Sequence, residues 1–379
     1  MKVLIVGAGI AGLSMARLLE KQENIDYTII EKKSSMSTLG AGIALPFNAL
    51  RALKKIGVFD AVMTQAHQVK EILYTKSNGK VLGQADLTHA PFENDHFVAL
   101  QRTELQNILS EGLVDKIHFS TELSAVNNHS EGVSVKSSNA QISGDYDLVI
   151  AADGINSTLR AQQYTEKTTL YNHNLTGWRF IVKAPNHQLQ PTYMLGNTDM
   201  FMAYPLSKDE LYCYAHIHQE NKSHTLTGDA KIDIKNIFSG YAEPAKSIVE
   251  AIDEQKIITG ELKSVTEARF YKDRIVFIGD AANACSPLLQ QGAAAAFEDV
   301  IALTKALKDG KVNLEQYKKA RQSRIDWIIN FSDKPLATVK NMDKAMVRII
   351  RNTVIRVLGP MNVFGWKKLA TNPDLANKE

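Results

Sequence analysis

The first dozen residues narrow the fold more than any other stretch of the chain. Val3–Val6 is a short apolar run of the kind that forms a parallel strand buried on both faces. It leads into Gly7-Ala8-Gly9-Ile10-Ala11-Gly12, a complete G-x-G-x-x-G, and then into a helical stretch through Leu18 and Leu19. Gly7 permits a sharp turn, Gly9 lets backbone approach a pyrophosphate, and Gly12 lets helix and strand pack closely. The helix N-terminus then offers unpaired N–H groups and a partial positive charge to phosphates. A second apolar run, Tyr27–Ile30, ends at Glu31, nineteen residues after Gly12, with Lys32 beside it. There a carboxylate is placed to accept from an adenosine ribose 2′-OH. The strand–helix–strand context separates this pattern from a bare glycine-rich turn. An acid at Glu31 disfavours a 2′-phosphate, which leaves FAD or NAD.

Two later segments repeat the motif of a strand running into a Gly/Asp turn. Asp147–Ala152 ends in Asp153-Gly154, followed by Ser157 and Arg160. Taken alone, it reads equally as an ordinary strand, turn and capped helix. Ile275–Ile278 ends in Gly279-Asp280, at the strand end where open α/β sheets place ligands.

In this order the three segments resemble the class A flavin monooxygenases, the family of para-hydroxybenzoate hydroxylase. The resemblance spans roughly the whole chain and implies non-covalent FAD rather than NAD. It puts Asp153 near the flavin pyrophosphate and Asp280 on the ribityl chain. Pro287 and Gly292 are the next landmarks. Gly292 and Ala293 open a helix aimed at the pyrimidine edge, where its dipole would stabilise reduced flavin. Gly40-Ala41-Gly42-Ile43 matches the loop against the isoalloxazine, with Gly42 and Ile43 as contacts. Arg102, in Gln101-Arg102-Thr103-Glu104-Leu105, becomes a charge-assisted partner of phosphate or ribityl oxygens. Val126 matches the point where backbone meets adenine. Three departures stand out. Relatives often carry Arg near Gly40, most carry His where this chain has Asn283, and most carry Gly where it has Gln290. A side chain at Gln290 crowds the place beside the reacting carbon, which bears on oxygen chemistry more than on FAD binding.

The expected fold class is α/β: a Rossmann-like FAD-binding domain, an inserted antiparallel-sheet substrate domain and a C-terminal helical segment. The first takes residues 1–68, 97–164 and 267–333, the second 69–96 and 165–266, and the third 334–379. In Leu211–His218, Tyr212, Tyr214, His216 and His218 point one way while Leu211, Cys213, Ala215 and Ile217 point the other. Met200, Met202 and Tyr204 alternate likewise, and the connection from Pro205 through Ser207-Lys208-Asp209 reads as a hairpin. This is the pattern of a half-buried antiparallel sheet, which in the family roofs the flavin. Met200, Met202, Tyr212 and Tyr214 are assigned to a substrate pocket, with plain packing against the other lobe as the alternative. His216 and His218 read as hydrogen-bonded sheet histidines. Trp178-Arg179 resembles the family's W-R. Met346, Ile349, Ile350, Val354 and Val357 share one helical face, opposite Lys344, Arg348, Arg351 and Arg356. Such a helix can lie on an anionic membrane. The expectation here is that it docks its apolar stripe on the protein, so membrane contact is not expected.

At 379 residues the chain can bury two sizeable cores. A net charge of +3 and no recognised module argue against nucleic acid. Cys213 and Cys285 lie far apart, without C-x-x-C or His spacing, so neither a disulfide framework nor a metal site is expected. The apolar run after Lys2 is too short and glycine-broken for a leader or a span, and the cytoplasm is the expected location. Only one dinucleotide fingerprint is present, so NAD(P)H would serve as a transient reductant without its own domain. The function the resemblance implies is an NAD(P)H-dependent FAD monooxygenase. It would use O2 to hydroxylate an aromatic, enolic or polyketide-like small molecule through a flavin C4a-hydroperoxide, with tetracycline-type antibiotics among the possible substrates. Tyr212 is the candidate for hydrogen-bonding a substrate hydroxyl or enolate. Remaining alternatives are an FAD oxidoreductase without oxygen insertion and a non-catalytic flavoprotein. A plain NAD dehydrogenase conflicts with Gly279-Asp280 and the helix after Gly292.

Overall fold

The computed structural model describes residues 1–36, 41–164, 170–220, 224–252, 256–307 and 312–371. A mixed sheet of six strands runs in the order Tyr271–Lys272, Ile275–Phe277, Leu148–Ala151, Lys2–Val6, Asp26–Ile30, Ile117–His118. All neighbours are parallel except the outermost pair formed by Tyr271–Lys272. Both faces of this sheet are covered, which is why its strands read as continuous apolar runs. Val3 and Ile5 face the helical side, whereas Leu4, Val149, Ile275 and Phe277 pack with Val126, Val133 and Tyr146 of a small antiparallel sheet. The helix Ile10–Leu19 lies on the first face against the helix Gly292–Ala306.

The second large sheet has seven strands: Ile258–Val265, Leu170–Lys183, Glu210–His218, Asp199–Pro205, Thr192–Leu195, Glu71–Lys76 and Val81–Asp86. The expected hairpin is present at 205–210, and it sets Tyr204 opposite Tyr212 and Met202 opposite Tyr214. Two features differ from the sequence expectation. One junction is parallel, Thr192–Leu195 against Glu71–Lys76. The sheet is also buried on both faces rather than one. Phe201, Leu211 and Cys213 pack with Trp178, Phe238 and Ile248, because the helices Ala230–Phe238 and Ala245–Glu250 cover that side. Asp229 caps the first of these helices, accepting from the N–H groups of Lys231 and Ile232. Met202, Tyr204, Tyr212 and Tyr214 face the other way, into the core shared with the six-stranded sheet.

Beyond Lys334 the described chain is mostly helical, as expected: the end of the helix Leu314–Ala337, which begins before that point, then Ala345–Leu358 and Met361–Thr371. The docking expectation for the middle piece is overturned. Its apolar stripe does not pack on the protein: Met346 and Val357 are each 74% exposed, and Ile349, Ile350 and Val354 are exposed with them. Arg351 instead turns inward and donates to the Gly196 carbonyl at 3.0 Å. Arg351, Asn352 and Ile355 make up the side turned toward the protein, and the apolar stripe is left outward.

Candidate functional site

The carboxyl ends of the central strands converge on one cleft. Gly7 has φ +110°, and a Cβ there would meet the Ala152 carbonyl oxygen at 2.5 Å. At Gly12 an added Cβ would overlap the Gly7 carbonyl oxygen. These two glycines therefore serve the turn itself. Gly9 is different, since nothing lies within 4 Å of where its Cβ would stand. The helix that follows has no side-chain cap and no acid in its first turn. Glu31 accepts from the N–H of Ala8 and of Lys33, each at 3.0 Å, so its carboxylate braces the turn from the end of the second strand. Two bonds leave a carboxylate capacity for further donors. Lys32 beside it is exposed.

The other edge of the cleft carries Gly279 and Asp280. Gly279 has φ +57°, and its added Cβ would crowd Ala11 at 2.9 Å, which gives Ala11 a packing role. The mass around Asp280 raises its carboxyl above the usual range, and Arg102 and Arg160 oppose this, yet the residue keeps an exposed face toward the cleft. Arg160 is buried and donates to the Ala281 carbonyl at 2.6 Å. Gly292 opens a second helix without a side-chain cap, and the nearest atom to its added Cβ is Asp280 Oδ1 at 3.9 Å. Ala293 is half-buried in that first turn, and Pro287 is exposed just before it. Ser157 caps the helix Thr158–Gln163, and Asp153 Oδ2 accepts from Thr158 N at 2.9 Å while its Oδ1 is buried without a partner. Val126 sits within the strand Leu123–Asn128, paired with Val135. Gly40 lies outside the described residues. Two open glycines, two uncapped helix ends, an exposed carboxylate flanked by two guanidiniums and an orphaned Asp153 oxygen fit a bound dinucleotide diphosphate.

Above the cleft, Gly42 lies so close to the Tyr212 ring that a Cβ would overlap it. Ile43 follows in the same strand, Gly42–Leu45. Tyr212 is buried beside Arg179, whose guanidinium also lies 5.4 Å from the Tyr214 ring centre. Met200 is half-buried against the same core and Met202 fully buried. Tyr214 is committed to His216, hydroxyl to Nδ1 at 3.1 Å.

Sequence reading missed an aromatic group and a charge network. Tyr193 stacks on Tyr74 at 5.1 Å and meets Tyr204 edge-on at 5.8 Å. Gln290, at φ +53°, donates to the Tyr193 hydroxyl at 2.9 Å and leaves its Oε1 buried without a partner. The crowding expected of Gln290 is thus directed into a tyrosine cluster. Asn283 donates to Asp299 at 2.7 Å, so it belongs to a buried network rather than to the cleft surface. Arg321 bridges Asp299 at 2.7 Å and Glu298 at 2.8 Å, Arg324 forks onto Glu298, and Asn48 links Glu298 to Gln291. Burial alone would raise the Glu298 carboxyl, but Arg324 and Arg321 outweigh it and take it down to about 2. Alternation of Thr192–Leu195 was the available signal for Tyr193. Arg321 and Arg324 had none, since an Arg pair in a polar helix reads as surface.

Burial, with help from His218 and Arg179, lowers the His216 pKa from 6.5 to about 4. The folded protein therefore holds this ring neutral. That contribution to stability is intact above pH ~6.5 and is lost as pH falls toward ~4, a total of order 3 kcal/mol. Urea titrations across this range are expected to show the decline, and His216→Gln should flatten it. Equal slopes in the two proteins would reject the assignment.

A protein-family model described as an FAD binding domain matches residues 1–332. The 2-heptyl-3-hydroxy-4(1H)-quinolone synthase of Pseudomonas aeruginosa is 29% identical over 339 residues, covering 86% of this chain and 87% of that one. Klebsiella pneumoniae HpxO, solved with FAD and uric acid, superposes with TM-score 0.78 at 22% identity, covering 95% of this chain and 97% of that one. The tetracycline destructase Tet(55) superposes with TM-score 0.73 at 22% identity, covering 100% and 98%.

Proposed function

The chain belongs to the FAD-binding domain family, and from that premise we propose an NAD(P)H-dependent FAD monooxygenase acting in the cytoplasm on an aromatic or enolic heterocycle. The observation that carries this reading is the pairing of two uncapped helix starts, an open turn at Gly9 and a second start at Gly292, with a buried, tyrosine-rich sheet face that shares their core. FAD, when bound, supplies the redox chemistry and the activation of O2. The residues do the remaining work. Gly9 and the N–H groups of the helix Ile10–Leu19 take the diphosphate, with Gly7 making the turn that presents them, and Glu31 takes the adenosine ribose. Arg102 and Asp280 take the ribityl side, and Gly42 and Ile43 lie along the ring system. The uncapped helix end at Gly292 and Ala293 favours negative charge, so the bound flavin should be easier to reduce than free FAD.

Residues 69–96 and 165–266 form the substrate-binding part in this reading. Met200, Met202, Tyr212 and Tyr214 shield the reacting centre from water, which suits a reaction that would otherwise leak hydrogen peroxide. The names of the relatives point to fused, oxygen-bearing ring compounds: a hydroxyquinolone made, uric acid bound and a tetracycline destroyed. Tyr212 holds a substrate hydroxyl or enolate from beside Arg179. Loss of one such hydrogen bond costs about 1–1.5 kcal/mol, so Tyr212→Phe should slow product formation, or raise NAD(P)H consumed per product, roughly tenfold. Unchanged coupling would reject that role. The reading as a whole is tested by screening quinolones, purines and tetracyclines for stimulated NAD(P)H oxidation under labelled O2. A product gaining one labelled oxygen supports it, and reduced flavin with no oxygen in any product favours a plain oxidoreductase.

A further inference from the structure

The helix Ala345–Leu358 meets the rest of the molecule with a mixed side that includes Arg351, Asn352 and Ile355. Arg351 donates to the Gly196 carbonyl, Asn352 is the one buried residue of the helix, and the helix packs on the strand Val81–Asp86. Met346, Ile349, Ile350, Val357 and Leu358 face outward, each 58–75% exposed. Phe364 of the next helix is exposed too and stacks on Phe331 at 6.0 Å. A contiguous apolar surface of this kind marks an interaction site.

Charge selects the partner. From Lys344 to Thr371 the chain carries Lys344, Arg348, Arg351, Arg356, Lys367 and Lys368, and no Asp or Glu. Lys344 and Arg356 are exposed on the same helix as the apolar strip, and Lys367 and Lys368 on the helix that follows it. Long basic side chains can bury their stems while keeping their charges at a headgroup layer. A second copy of this chain would set one cationic strip against another, with no acid in either to pair it. Among the described residues no helix is long and apolar enough to cross a membrane, so contact would lie in the surface plane. We propose that this face docks on anionic lipid bilayers as an interfacial amphipathic helix.

The full-length, flavin-loaded protein is sedimented with phosphatidylcholine vesicles, with and without about a third phosphatidylglycerol. Partitioning onto anionic vesicles should exceed that onto neutral ones at least ~10-fold and weaken in high salt. Ile350→Asp with Val357→Asp should abolish binding while retaining flavin absorbance, since both positions are already solvent-exposed. Arg356→Glu with Lys367→Glu should weaken binding on the unchanged apolar strip, so the proposal does not depend on the first variant folding. Absence of binding to anionic vesicles overturns the proposal. So does equal binding to both vesicle types. Concentration-dependent self-association that the same Asp variants abolish, without vesicle binding, assigns the face to a second copy instead.

Discussion

Replacing Gly9 by valine is expected to give a folded protein that no longer holds its flavin. The backbone at Gly9 has φ −82° and ψ −174°, a conformation open to any residue. No protein atom lies within 4 Å of the new Cβ. The folded chain therefore bears little cost, and the branched side chain fills the space left for the diphosphate. FAD affinity should fall at least ~100-fold, about 2.7 kcal/mol. Gly12→Ala gives the opposite pattern, because its Cβ overlaps the Gly7 carbonyl oxygen and the turn itself must shift. That variant should lose thermal stability and flavin together. Flavin absorbance read beside apoprotein melting separates the two. A yellow Gly9→Val protein of ordinary affinity would mean that no phosphate crosses this turn.

Arg321→Met should be among the most damaging substitutions outside the cleft. Arg321 is 1% exposed and its guanidinium spans two carboxylates, Glu298 and Asp299. Breaking a buried ion pair from one side typically costs roughly 3–5 kcal/mol, because the remaining charge is stranded. Asp299 also accepts from the Gly279 N–H at 2.9 Å, so the damage reaches the turn that presents Asp280. Weaker flavin retention should accompany the lower urea midpoint. Arg321→Lys should rescue little, since an ammonium cannot reproduce the planar fork across both acids. A midpoint shift worth less than ~1 kcal/mol would show that the network does not support the fold.

These two sites mark the limits of what the chain discloses before it is folded. The strand–glycine–helix opening, Glu31 and the Gly279-Asp280 turn were legible because each depends on a local backbone requirement that glycine or a strand end satisfies, whereas the helix at Gly292 was legible only through the family resemblance. The alternation of Tyr212 and Tyr214 against Leu211 and Cys213 was legible for the same reason, as a period of two along one strand. Long-range pairing was not. The link from Asn283 to Asp299 spans 16 residues and that from Asn48 to Glu298 spans 250. Nothing at either end signals its partner. Nor could the pattern in Ala345–Leu358 say which of its two faces would turn inward. Amphipathicity specifies two sides, and the side turned inward here carries Arg351, bonded to the Gly196 carbonyl, with Asn352 and Ile355.

The strand order of the six-stranded sheet has a consequence for synthesis. Lys2–Val6 is flanked by Asp26–Ile30 and by Leu148–Ala151, and the latter waits for Ile275–Phe277. A nascent chain shorter than that leaves the Leu148–Ala151 edge unpaired, a ready template for association with other unfinished chains. Closure across such sequence distances is slow. The turn that presents Asp280 forms only after Ile275–Phe277 has been made, so the coenzyme site is completed late in biogenesis.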